Sequence, residues 1–186
     1  MTNTNSSRVK LAIALCALLF LTSCAGAKLP QVAPGKVMGC GAIKRSNSSQ
    51  GLIFPCLDSK SNVRLAALRG PLILNVWGSW CAACEDELPY LLSFYAKSEG
   101  RVQMLGVDVE EAKPADGRAY IIKSGMNWPS VIDLDGRSRG YFGMGVPVTW
   151  FINSAGVVKF KKIGAIASEK ELRELTLKYL QVEIRK

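Results

Sequence analysis

The run Leu72-Ile73-Leu74-Asn75-Val76-Trp77, closed by Gly78-Ser79 and followed by Trp80-Cys81-Ala82-Ala83-Cys84, constrains this chain more than any other segment. Its first six residues are short, almost wholly apolar and bounded by turn residues, which reads as a buried strand. A helix is expected next, from about Cys81 to Lys97, because Leu88, Leu91, Leu92 and Tyr95 fall at i, i+3, i+4 and i+7 on one face. Pro89 lies inside it and should kink it. Two cysteines three positions apart, placed where a buried strand turns into a helix, can bring their sulfurs within bonding distance.

That position also creates reactivity. Cys81 falls where free N–H groups and the helix dipole favour negative charge. Sites of this type lower thiol pKa values to roughly 3.5–7.5, and the thiolate is the species that attacks a disulfide. Cys84, one turn deeper, is placed to resolve the mixed disulfide that Cys81 forms. Two other uses of the pair are open from the residues alone. A zinc site would need Cys40 and Cys56 as further ligands. A purely structural bridge over so short a loop would remove little unfolded-state entropy.

Composition narrows the chemistry further. The 186 residues contain six Cys and no His. A Ser-His-Asp triad, a Cys-His protease and a His-ligated metal or haem are therefore excluded. Lys and Arg number 24 against 15 Asp and Glu, a net charge of +9. No block of five like charges occurs. The excess reads either as a solvated basic surface or as attraction to an anionic envelope or membrane surface. No nucleic-acid-binding motif accompanies it.

The chain opens with an address. Arg8 and Lys10 precede the apolar run Leu11 to Leu21, which is too short to span a hydrocarbon core of ~30 Å comfortably and matches a secretory signal. The following Leu21-Thr22-Ser23-Cys24-Ala25-Gly26 resembles the bacterial lipobox. The resemblance implies lipidation of Cys24 and cleavage after Ser23. An uncleaved signal anchor is the alternative, and either outcome puts the domain outside the cytoplasm. Cys16 reads as a small hydrophobe. The reading is thus a signal over 1–23, a tether over 24–36 and one domain over 37–186.

Within the domain, Leu52 to Leu57 reads as an edge strand, since Pro55 cannot donate to a ladder. Asp58 to Asn62 is a turn and Val63 to Leu68 a short return. Val102 to Val109 is a strand, Ala115 to Lys123 a short helix ended by Gly125, and Ser130 to Leu134 a short extended piece. Val148 to Asn153 and Val157 to Ile163 flank Ser154-Ala155-Gly156 as a hairpin. The last helix starts at Ser168, with Glu171 at capping-box spacing and Leu172, Leu175 and Tyr179 as its buried stripe. Strands alternating with helices, then a hairpin and a helix, make an α/β layout with a central mixed sheet and an N-terminal hairpin extension.

The blocks Leu74-Asn75 with VWGSWCAAC and Glu87-Leu88-Pro89, and Gly145-Val146-Pro147-Val148-Thr149-Trp150-Phe151-Ile152-Asn153 with Gly156-Val157-Val158, resemble the thioredoxin superfamily. Within it they are similar to the TlpA/ResA-type extracytoplasmic thiol:disulfide oxidoreductases, over roughly Leu52 to Leu180. The resemblance implies a thioredoxin-like fold and no cofactor. Cys81 and Cys84 would be the redox pair. Pro147 would be the family's cis-proline, offering with Val146 a backbone edge to substrate; an ordinary trans turn is the other reading. Glu87 would be a buried acid near the sulfurs. Three residues beyond Cys84 on the same helix face, a partly buried carboxylate could relay the resolving thiol's proton. Its other reading is a first-turn acid favoured by the dipole. Trp80 would be a docking surface for substrate or simple packing.

Departures accompany the match. Asn75 stands where thioredoxin has a buried Asp, and Ala82-Ala83 lacks the common Pro. Glu85-Asp86-Glu87 should repel a thiolate and partly offset the helix. Cys40 and Cys56 remain. In an oxidising compartment they are expected to form a structural disulfide closing fifteen residues, with a second redox relay as the alternative.

The resulting expectation is a lipid-anchored reductant on the outer face of a bacterial cell membrane. Protein disulfides would be its substrates, for example apocytochrome c, and a membrane thiol donor would re-reduce it. A disulfide-forming oxidase and a non-catalytic lipoprotein of the same fold are the competing expectations. A copper chaperone would want C-x-x-x-C and a distal His, and a peroxiredoxin would not need C-x-x-C.

Overall fold

A computed structural model describes residues 33–143 and 145–185. The signal over 1–23, Cys24 and most of the tether lie outside the described residues. Gly35 and Lys36, at the tether's end, donate backbone hydrogen bonds to Ile122 O and Met126 O, each at 2.8 Å.

Seven strands and three α-helices are described: β1 Ile53–Pro55, β2 Asn62–Arg64, β3 Leu72–Trp77, α1 Ala82–Ser98, β4 Gln103–Val109, α2 Pro114–Ser124, β5 Ser130–Asp133, β6 Val148–Ile152, β7 Val158–Ile163 and α3 Glu169–Leu180. The main sheet has the order β5-β4-β3-β6-β7. β3, β4 and β5 run parallel, while β6 is antiparallel to β3 and β7 to β6. Parallel neighbours need a crossover, and α1 and α2 supply the two crossovers. β3 lies at the centre, which is why all six of its residues are buried.

Pleating divides β3 between two cores. Ile73 and Trp77 face a core to which all three helices contribute, with Leu91 and Phe94 of α1, Ile121 of α2 and Leu172 of α3. Leu72, Leu74 and Val76 face the other, which the small hairpin covers with Phe54 and Val63. The expected hairpin extension is the antiparallel β1–β2 pair, with Phe54 opposite Val63. It is tied to the main sheet by a bridge between Cys56 and Val131 and by Leu57 N donating to Ser130 O at 2.8 Å.

Two helix stripes differ from their spacing-based expectation. α1 buries Leu88, Leu91, Phe94 and Ser98, whereas Leu92 and Tyr95 are only partly buried. α3 buries Leu172, Thr176 and Leu180, with Leu175 and Tyr179 at the margin. Both stripes are rotated because the helices meet the sheet and each other, and no helix alone contains that information. α1 runs continuously through Pro89. α3 starts as expected: Glu171 N donates to Ser168 Oγ at 3.1 Å, and Glu171 Oε2 accepts from Ala167 N at 2.7 Å.

Candidate active site

The site is built where β3 ends. Gly78 to Trp80 carries the chain from the sheet to α1, and Cys81 is the N-cap of that helix. An N-cap side chain normally offers an oxygen to a free N–H of the first turn. Here Sγ of Cys81 takes that place and accepts from Cys84 N at 3.1 Å. The sulfur therefore sits on the positive end of α1 with an N–H aimed at it, an arrangement that favours its thiolate. The structure joins Cys81 to Cys84, with Cα atoms 5.3 Å apart. Both are nearly buried in the helix-side core.

Glu87 does not point outward with Glu85 and Asp86. It is 1 % exposed, so the three acids do not act as one cluster on the helix end. Its Oε1 accepts from Asn75 Nδ2 at 2.8 Å and its Oε2 from Ile166 N at 2.8 Å. Burial pushes its pKa upward, and those two donors pull partly against it. Asn75 also donates to Thr149 Oγ1 at 3.2 Å, across the β3–β6 pair. The amide therefore serves as the donor that fixes the acid. From the sequence Asn75 is only a departure, and nothing there marks Thr149 or Ile166 as partners in the site. The buried polar residue inside the apolar run of β3 was the available signal.

Trp80 is 54 % exposed, with its indole N–H donating to Val109 O at 3.3 Å. The ring lines a small cavity with Val76, Val109, Phe142, Val146 and Arg139. Trp80 and Val146 are thus brought together, although 66 positions separate them. Val146 also packs against the core that contains both cysteines. The Val146–Pro147 peptide is cis. Pro147 is buried, and its carbonyl accepts from Gly164 N at 3.0 Å. Cys40 and Cys56 lie elsewhere, joined to each other in the second core with Cα atoms 6.1 Å apart. The structure does not bring them to Cys81 and Cys84. Among the described residues no cluster of three or more Cys, Asp or Glu is arranged to hold a metal ion.

Residues 53–161 match the AhpC/TSA family. The chain belongs to this family. Among its curated relatives is the thiol-disulfide oxidoreductase ResA of Geobacillus thermodenitrificans, 34% identical over 132 residues, which cover 69% of this chain and 74% of the relative. That match places the chain in the TlpA/ResA-type branch of the thioredoxin superfamily. ResA of Bacillus thuringiensis is 32% identical over 111 residues, and there the match spans 58% of this chain and 64% of the relative. Among solved structures, StoA from Bacillus subtilis superposes with a TM-score of 0.57 at 24% identity, covering 69% of this chain and 99% of StoA. The matched span, from β1 into β7, thus holds Cys56, Cys81 and Cys84, and Cys40 precedes it.

Proposed function

We propose that this chain is an extracytoplasmic thiol:disulfide oxidoreductase that works as a reductant of protein disulfides. The observation that carries the reading is the sulfur cap: Cys81 Sγ holds the N-cap position of α1 and accepts from Cys84 N. The names of the ResA relatives support the same reaction class.

In the reduced protein the Cys81 thiolate attacks one sulfur of a substrate disulfide. A Cys81–substrate bond forms and the other substrate sulfur leaves as a thiolate, taking up a proton. Cys84 then gives up its proton and attacks Cys81 Sγ. The Cys81–Cys84 bond forms, the second substrate thiol departs, and two electrons have passed to substrate. Glu87, buried one helical turn from Cys84 and held by Asn75 and Ile166, takes the Cys84 proton. Trp80 offers an exposed apolar face beside the sulfurs, and Val146 with Pro147 offers main chain to the substrate. The Cys40–Cys56 bond is structural. Apocytochrome c thiols are a fitting substrate. A membrane thiol donor returns the electrons, and Cys24 carries a lipid that keeps the domain at the outer face of the membrane. Among the described residues no helix is long and apolar enough to cross a membrane.

Equilibration of the Cys81/Cys84 couple with glutathione tests the direction. A potential near the thioredoxin region, about −270 mV, is expected. A value near −120 mV, the region of strong oxidants, would overturn the reductant reading.

A further inference from the structure

A second buried acid lies on β4, beside the end of the strand that leads to Cys81. Asp108 stands near the end of β4, level with Trp77 of β3 and Ile132 of β5. It is 0 % exposed, and neither carboxyl oxygen meets a donor. Helix α2 presses its main chain on the group, since a Cβ at Gly117 would fall on Asp108 Oδ2. The side chain that bears on it most is another acceptor, the buried carboxyl of Glu111 three residues on. Two carboxylates cannot bond each other. One shared proton lets them bond, with Asp108 as donor and Glu111 as acceptor. The surroundings agree. Burial raises the Asp108 pKa to about 9, and the charged groups that act on it, Glu111 and Asp116, are both acids. Tyr120 of α2, stacked on Trp77 at 5.2 Å, is itself pushed up to about 12 by burial and brings no positive charge.

Glu111 in turn grips the loop. Its Oε1 accepts from Ser79 N at 2.5 Å and its Oε2 from Ser79 Oγ at 2.8 Å. Ser79 lies two residues before Cys81. Gly78 O accepts from Cys81 N at 3.1 Å, so the clamped turn leads directly into the sulfur cap. We propose that Asp108 acts through Glu111 as a positioning residue for Cys81: the Asp108 carboxyl donates to Glu111, and Glu111 fixes the turn from which the Cys81 sulfur projects onto α1. This deepens the oxidoreductase reading and rests on it. A buried acid beside an acid is costly on its own, and a single shared proton would give one of the two orphaned oxygens a partner.

Four substitutions in the reduced full chain test the relay. Asp108→Asn keeps a donor against Glu111, Asp108→Leu removes it, Glu111→Gln sets a donor against Ser79, and Ser79→Ala deletes one of the two grips. The readouts are the pH profile of Cys81 alkylation by iodoacetamide, located by peptide mapping, and exchange of the Ser79 amide proton, with near-UV circular dichroism as the check on folding. Asp108→Asn is expected to keep the native profile. Asp108→Leu and Glu111→Gln should slow alkylation at neutral pH about tenfold, move its midpoint upward and speed Ser79 amide exchange, the scale of one charge-assisted hydrogen bond lost. Ser79→Ala should give a smaller change in the same direction. Folded Asp108→Leu and Glu111→Gln proteins with the native profile would overturn the relay, as would an Asp108→Asn protein that behaves like Asp108→Leu. Should Asp108→Leu fail to fold, Glu111→Gln and Ser79→Ala decide the matter. If unaltered Cys81 alkylates like an ordinary thiol, the oxidoreductase reading fails, while Ser79 amide protection still reports the clamp.

Discussion

The two cysteine pairs of this molecule are the same bond in different settings. Cys81 and Cys84 lie on the helix side of the sheet, and Cys40 and Cys56 on the hairpin side. Cys81 Sγ receives an N–H at the start of a 17-residue helix. Cys40 Sγ faces Ser130 O and Cys56 Sγ faces Met38 O, both at 3.8 Å. Carbonyl oxygens disfavour a thiolate, and a helix N-terminus favours one. Reactivity here is a matter of what points at the sulfur.

The comparison breaks most decisively at Cys81. Cys81→Ser should abolish disulfide exchange in an insulin-reduction assay and leave the fold intact, since a serine oxygen can still cap α1. Replacing Cys40 and Cys56 together by Ala should do the reverse. Chain entropy for the fifteen-residue loop predicts a loss of about 3 kcal/mol in urea unfolding, with exchange retained. Equal damage to exchange from both changes would erase the distinction. Glu87→Gln sharpens it by removing the proposed proton carrier while keeping the buried shape. The resolution step, followed by release of a chromogenic thiol in single turnovers, should slow about a hundredfold. The last effect is on pH. Asp108 has a folded pKa of about 9 against 3.8 for the free group, so the folded state binds the extra proton between those values. Stability should be greatest below about pH 4 as far as this group is concerned, and should fall as pH rises towards about 9. Asp108→Asn should flatten that slope in urea titrations taken across the range.

The sequence made the strand–turn–helix around Cys81 legible because each part is local: an apolar run, two turn residues and a helical stripe. The capping box of α3 and the Ser154-Ala155-Gly156 hairpin were legible for the same reason. What escaped were partners brought together by topology. Glu87 and Ile166 N are 79 positions apart, and Asn75 and Thr149 are 74 apart. Asn75 looked like a missing acid, and only the antiparallel pairing of β3 with β6 shows it as a donor between Thr149 and Glu87. Asp108 and Glu111 carried no motif, being two acids among several at the end of a strand. Phe94 is buried where spacing favours Leu92, because spacing within α1 cannot tell which neighbouring residues the sheet will cover.

The bridge between Cys56 and Val131 also has a bearing on how the molecule behaves in crowded solution. An unpaired sheet edge is a template on which another chain can add a strand. At one margin β7 guards itself with Lys159 and Lys161, which alternate outward along it. At the other margin β5 has no lysine and relies on the hairpin laid against it. The Cys40–Cys56 bond holds that cover in place. Reductants strong enough to open it would therefore bare an unguarded margin, and turbidity would follow the loss of the bond before the loss of the fold.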